Sequence, residues 1–228
     1  MSILVSTLPP KSDVTITQNS HTKNGPFVDK IVYNVIPQKD QQVSSLMDGD
    51  VDLIDSALDP QYLDQLTEAN NIAVNNILNN GYGYFSINCA KHPFNYTAFR
   101  RAFAFALDKE AIADDIWNGL ASPLDSVIPV TSSYSIEGQL SYTYYEANAV
   151  LGNYLLNEAE FYDMDDDGFR EAPDGSDFDV IIEVITEEQI DIDIAQTAVD
   201  ALESLNINAE MILTDSYETL LRLMYHGD

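Results

Sequence analysis

An α/β fold, a sheet with helical cover, is what this sequence predicts, and three observations carry the prediction. Strand-like and helix-like segments alternate along the chain, the helical ones carry capping residues, and 45% of the 228 residues are hydrophobic, ample for a packed core. Taken in order, "VDKIVYNVI" has β-branched residues near period two and predicts a strand, and "KDQQVSSLMDGD" predicts a short helix ended by Gly49. "VDLID" reads as a short strand, "DPQYLDQLTEAN" as a helix opened by Asp59 and Pro60, and "IAVNNIL" as another strand. The glycine-punctuated "NNGYGYFSIN" reads as a bend or crossover, which places the main boundary near Gly81 and divides the chain into 1–80 and 81–228.

Beyond that boundary two helices are expected, at about 97–106 and 109–118, followed by a Pro/Ser loop over 120–135. "EANAVLGNYLLNEAEF" is helical, with Ala149, Leu151, Tyr154, Leu155 and Ala159 as its expected buried line. "FDVIIEVIT" is a strand, "QIDIDIAQTAVDALESLN" a long helix, "INAEMILT" a strand and "SYETLLRLMYHGD" a last helix.

Charge narrows the function. With 38 Asp plus Glu against 10 Lys plus Arg, the net charge of −28 repels phosphate backbones and anionic lipid, so nucleic acid and membrane surfaces are poor partners. The same acidity suits a surface solvated in a cation-rich medium, so it names no ligand by itself. One cysteine, Cys89, excludes an internal disulfide and a cysteine-based metal site. No window approaches the roughly 18 apolar residues of a membrane span. The start "MSILVSTLPPKSD" lacks the basic and apolar regions of a signal peptide. No G-x-S-x-G, phosphate-binding loop or H-E-x-x-H is present, and His21, His92 and His226 stand in no metal-ligand spacing, so the chain is not expected to be an enzyme.

Scarce positive charge is spent in "HPFNYTAFRRAFAFALDKEAIADDIWNG", where Arg100 and Arg101 sit side by side. Phe99, Ala102, Phe103 and Ala106 recur at i, i+3, i+4 and i+7 as one apolar helix face, and both arginines fall off it. Asp108 suits the N-cap of the next helix and Gly119 the position just past its end, so local chemistry specifies a helix, corner and helix. Arg100 or Arg101, with five donors each, is expected to pair with a local carboxylate and cap carbonyl groups, the alternative being direct contact with a ligand.

These residues carry a resemblance. "YFSINCAKHPFNYTAFRRAFAFALDKEAIADDIWNGLASPLDSVIP" resembles the central signature of the family 5 extracellular solute-binding proteins, the oligopeptide, dipeptide and nickel receptors of ABC importers. The matching positions are Phe85, Ile87, Asn88, Pro93, Phe94, Arg100, Arg101, Ala102, Phe103, Ala106, Asp108, Lys109, Gly119, Pro123, Ile128 and Pro129. "VDKIVYNVIPQKDQQVSSLMDGDVDLID" resembles the family's strand, helix and Gly-acid-Val-Asp segment, and "AQTAVDALESLNINAEMILTDSYETLLRLMYHGD" its later helix, strand and helix, with Asn206 where glycine is usual. The resemblance implies a periplasmic-binding-protein-like, type II two-lobe fold, of which this chain represents the closing part of the first lobe and most of the second. It implies capture of a peptide or similar small solute by hinge closure, an ABC permease as partner, an extracellular or periplasmic location, and no required cofactor.

Two groups are candidate sites. Tyr82, Tyr84 and Asn88 lie at the presumed crossover, where alternate side chains of an aromatic strand either face a ligand cleft or pack in the core. In "DMDDDGFREAPD", Asp163, Asp165, Asp167, Glu171 and Asp174 fall at positions 1, 3, 5, 9 and 12 of a calcium loop, with Gly168 at 6 and Phe169 offering its carbonyl at 7. Asp174 is shorter than the glutamate that usually closes such a loop, so the segment reads equally as an acidic Asp-Gly turn without metal. A calcium-stabilised extracellular structural module is the alternative to a transport receptor. "NYT" at Asn95 is an acceptor sequon or, equally, a turn residue followed by a helix start.

Overall fold

The computed structural model describes residues 15–17, 30–54, 58–75, 77, 79–137, 139, 145–184 and 188–214. It is a mixed α/β chain that divides into two compact units, Met1–Asn79 and Asn80–Asp228.

In the first unit, strand β1 (Thr15–Thr17) pairs antiparallel with β2 (Lys30–Val32). Helix α1 (Lys39–Asp48) ends where the sequence places its stop: Gly49 takes φ 81°, a left-handed conformation that glycine adopts without a Cβ clash, and its N–H returns to the Leu46 carbonyl. Asp59 and Pro60 open a turn of 3₁₀ helix (Pro60–Tyr62) that runs into the short helix α2 (Leu63–Thr67). Val43, Pro60 and Leu66 are buried beneath them. A polar clasp joins the two helices from outside: Lys39 Nζ bonds Asp59 Oδ1 at 2.8 Å, and the Tyr62 hydroxyl donates to Asp40.

Two sequence expectations fail here and a third is met only in part. The described residues of "VDLID" and "IAVNNIL" are not strands, and most of "VDKIVYNVI" beyond Val32 is not either. A strand exists only through its ladder, and among the described residues no neighbour pairs with these segments.

The second unit is built on α3 (Thr97–Ala106), α4 (Lys109–Ala111) continuing as a π-turn over Ile112–Ile116, α5 (Ala149–Glu158), β3 (Val180–Val184), α6 (Gln189–Glu203) and β4 (Ala209–Leu213). β3 and β4 pair in parallel, Val180 opposite Ala209 through Val184 opposite Leu213, with α6 as the crossover that a parallel pair requires. Phe99, Leu156, Phe161, Val180, Leu202 and Ile207 meet in one core. Phe94, Phe161 and Phe178 surround Phe99 with centroids 5.2 to 5.8 Å away.

The buried line of α5 differs from the expected one. Gly152 and Leu156 are buried, whereas Tyr154 is exposed and Ala149, Leu151, Leu155 and Ala159 are half-buried. The reason is close approach: a Cβ on Gly152 would stand 2.8 Å from Leu205 Cδ2 and 3.0 Å from the Ala102 carbonyl oxygen, so α3 and α5 meet where there is no side chain. The last expected helix, "SYETLLRLMYHGD", lies outside the described residues.

Candidate functional site

The corner between α3 and α4 follows its local chemistry. Asp108 Oδ1 accepts from the Ala111 N–H at 2.9 Å, and Asn118 and Gly119 turn the chain with φ of 50° and 73°. Arg100 donates to the Phe94 carbonyl and, at 3.0 Å, to Thr97 Oγ1, so it pins the Pro-Phe turn that precedes its own helix. Among the described residues neither arginine meets a carboxylate, and Arg101 is exposed. The carbonyl-capping half of the expectation is met by Arg100, and among the described residues no ion pair of either arginine is formed.

Lys109, at the start of α4, reaches the following loop by bonding the Asp125 carboxylate and, at 3.2 Å, the Leu124 carbonyl. Glu137 closes the same loop: its Oε1 accepts from the backbone N–H groups of Asp125 at 3.0 Å and Ser126 at 2.7 Å. The loop is thereby fixed without regular secondary structure, and it forms one wall of an open groove of about 500 Å³. Val127, Ile128 and Pro129 line that wall, and Asn80, Tyr82 and Tyr84 line the other. The tyrosine rings lie 5.8 Å apart at 52°, and Tyr84 is 77% exposed. Asn80 Oδ1 accepts from Thr131 Oγ1 at 3.0 Å across the rim.

Tyr82 and Tyr84 therefore face a groove and not the core, because the alternate residues Phe85 and Ile87 are the ones packed against the core. Asn88 stands apart from the groove lining, and its Oδ1 accepts from the Ala90 N–H at 3.0 Å in the turn that follows. Two exposed phenol rings beside apolar side chains and a few neutral polar groups can hold a solute by stacking and hydrogen bonding.

The acidic loop also takes a defined shape. Carboxylate oxygens of Asp163, Asp165, Asp167 and Glu171 all lie within 4.8 Å of one another. The loop is wound around its own carboxylates: Gly168 N donates to Asp163 Oδ2 at 3.0 Å, Asp167 N to Asp165 Oδ1 at 3.2 Å and Phe169 N to Asp167 Oδ1 at 2.8 Å. Gly168 adopts φ 99°, where a Cβ would strain the turn. Glu171 is buried and accepts from the Met164 N–H. Asp174 is not in the group. Its Oδ1 accepts from the Ser176 hydroxyl at 2.6 Å and the Ser176 N–H at 3.1 Å, and these bonds hold its carboxyl below the usual range. Glu171, at the ninth position, converges with the aspartates, and the twelfth position serves a separate turn.

Sequence reasoning missed the residue that ties this loop to the fold. Arg170 donates to the Leu205 carbonyl at 2.8 Å, Asn157 Oδ1 at 2.7 Å, Asn153 Oδ1 at 3.0 Å and the Phe161 carbonyl. Its guanidinium clamps the end of α5 to the turn after α6, where helix C-termini favour a cation. Burial among these acceptors pushes its pKa below the ordinary arginine value. Only its place in a cation-poor chain could have flagged it.

A family model described as bacterial extracellular solute-binding proteins, family 5 middle, matches residues 5–227. The oligopeptide-binding protein AppA of Bacillus subtilis is 25% identical over an alignment of 194 residues that covers 81% of this chain and 33% of AppA. Its structure with a nonapeptide matches with a TM-score of 0.68 at 20% identity over 86% of this chain and 38% of that one. NikA from Brucella suis, solved with Fe(III)-EDTA, matches with a TM-score of 0.70 at 18% identity, covering 89% of this chain and 40% of NikA. The chain thus spans about a third of the length of its curated relative.

Proposed function

This chain belongs to family 5 of the bacterial extracellular solute-binding proteins, a family of binding proteins and not of enzymes, and from that premise we propose that it serves an ABC importer as the solute-capturing component. The solute class is peptides or similar small solutes, a reading supported by its AppA relative, which is named an oligopeptide-binding protein. The observation that carries the reading is the groove at the start of the second unit, where Tyr82 and Tyr84 are exposed together on a segment whose alternate residues are anchored in the core. In a two-lobe receptor a solute touching both lobes favours the closed state by its differential affinity for it, and the closed state is what a permease recognises. This mechanism places the protein outside the cytoplasm, extracellular or periplasmic. No helix among the described residues is long and apolar enough to cross a membrane.

The test is a titration of mixed peptide pools followed by calorimetry with the peptides that mass spectrometry retains. Tyr82→Ala and Tyr84→Ala are each expected to weaken binding by roughly two- to twelvefold with unchanged circular dichroism, as the loss of one aromatic contact of about 0.5–1.5 kcal/mol implies. Equal binding by both variants would remove the groove from the reading.

A second reading concerns the acidic loop, and the convergence of Asp163, Asp165, Asp167 and Glu171 favours it. Calcium takes oxygen ligands of this kind, and a loop with these charges on an extracellular protein fits dissociation constants of roughly 10⁻⁴ to 10⁻³ M. Under this reading the ion stiffens the second unit without requiring transport. Calcium titration of the chain and of an Asp165→Ala, Asp167→Ala variant decides it, since identical heats from the two would dismiss the ion.

A further inference from the structure

Asn95, Tyr96 and Thr97 form the one Asn-x-Ser/Thr triplet in the 228 residues, and its middle residue is not proline. Sequence leaves Asn95 open between an acceptor and a turn residue, and the structure separates the two. Asparagine is favoured in turns because its side chain bonds nearby backbone or because it tolerates a left-handed φ. Asn95 uses neither property: its φ is not positive, and its side chain bonds nothing among the described residues. Tyr96, not Asn95, holds the N-cap position of α3. The turn is held by other groups, the Asn95 N–H donating to the Lys91 carbonyl at 2.8 Å and Arg100 donating to the Phe94 carbonyl.

What the fold does with this asparagine is present it. Phe94 and Tyr96 pack against the core, while the alternate residues Asn95 and Thr97 are exposed, so a carboxamide and a hydroxyl stand open to solvent on one anchored segment. Thr97 Oγ1 accepts from Arg100 at 3.0 Å, which leaves the hydroxyl its own proton to donate. We propose that Asn95, as the acceptor of this triplet, carries an N-linked oligosaccharide. The family is extracellular, and a sugar at an exposed turn is a bulky, solubilising surface group. The donor is a lipid-pyrophosphate-linked oligosaccharide. A bond forms between Asn95 Nδ2 and the anomeric carbon, and the bond from that carbon to the pyrophosphate oxygen breaks. The amide gives one proton to a base of the transferase, lipid pyrophosphate leaves, and nothing is oxidised or reduced. Asn95 lies outside the groove lining, so the sugar leaves Tyr82 and Tyr84 open. The proposal shares with the solute reading only a location outside the cytoplasm.

Peptide mass spectrometry of the protein purified from the cells that export it reads the site, because trypsin, cutting after Lys91 and Arg100, isolates the triplet in the peptide from His92 to Arg100. That peptide is expected to carry an added mass equal to a whole number of sugar residues, placed on Asn95 by electron-transfer fragmentation. The sugar should survive mild alkaline β-elimination, which strips sugars from serine and threonine. Among variants made in the same cells with parental circular dichroism, Asn95→Gln and Thr97→Ala are expected to lose the added mass and Thr97→Ser to keep it. No solute enters this measurement, so its failure and that of the solute reading are separate results. An unmodified peptide from the exported protein, a sugar on Thr97, or a modification that survives Thr97→Ala each overturns the proposal.

Discussion

Individual side chains do more here to join elements than to add charge. Asp108 is the clearest case, because an N-cap oxygen satisfies one of the four N–H groups a helix start leaves open. Asp108→Ala is expected to lower stability by about 1 kcal/mol, read as a shift in denaturation midpoint at unchanged slope. Aspartate-to-alanine controls on exposed loops should leave the midpoint in place, and a midpoint unmoved by Asp108→Ala as well would deny the cap. Arg170 should matter more. Its truncation strips partners from the Leu205 and Phe161 carbonyls and from two asparagine side chains, so Arg170→Ala should cost on the order of 2–3 kcal/mol, with Arg170→Lys restoring only part because one ammonium cannot span the acceptors. Equal midpoints for the alanine variant and the parent would show that the clamp is idle. Tyr62 gives a pH signature: its hydrogen bond to Asp40, with burial adding to it, pushes the phenol up to about 12. The folded pKa lies above the unfolded one, so this contribution is complete below pH 10 and declines as pH rises toward 12. Ultraviolet titration should show one of the 13 tyrosines ionising late, and Tyr62→Phe should abolish that late step.

Helices were legible in the sequence and several strands were not, and the difference is where each kind of element gets its stability. α1 carries its glycine stop, and α3 and α6 their apolar faces, within their own residues, so "KDQQVSSLMDGD" and "TAFRRAFAFA" could be placed from local chemistry alone. A strand draws on a neighbour distant in sequence. β3 and β4 are recognisable because their apolar runs also find each other across α6, whereas "VDLID" and "IAVNNIL" have the pattern and no ladder among the described residues. The two tyrosines of the groove could be named from the strand period, but not the opposing wall, because a Pro/Ser loop held by Lys109 and Glu137 has no period to read. Gly152 is a third kind of miss: a glycine inside a helix looks like a weakness, and here it is the contact. Gly152→Ala is worth up to about 1 kcal/mol in helix propensity, yet its Cβ would press on a buried leucine and on the α3 backbone at a cost of about 1–3 kcal/mol. The backbone carbonyl cannot rotate away, so net destabilisation of about 1 kcal/mol is expected in thermal melts, and a gain in melting temperature would mean that α5 moves off α3 at no cost.

At the scale of the whole molecule the dominant quantity is charge. A net −28 means that the average pair of ionised groups repels, and folding brings those groups closer together than they stand in the extended chain. Attraction is scarce by comparison: the ion pairs formed among the described residues, Lys39 with Asp59 and Lys109 with Asp125, each employ one of only 10 basic side chains. Added salt screens both signs, but with 38 acidic groups the repulsive pairs far outnumber the attractive ones, so screening should stabilise the fold on balance. Melting temperature is therefore expected to rise steeply between 0.01 M and 0.2 M sodium chloride and to level near 1 M, where the screening length of about 3 Å falls below the spacing of surface carboxylates. Sodium chloride and potassium chloride should trace one curve, since ionic strength and not ion identity sets the effect. A melting temperature that stayed flat or fell over that range would mean that the local pairs outweigh the repulsion of the whole surface.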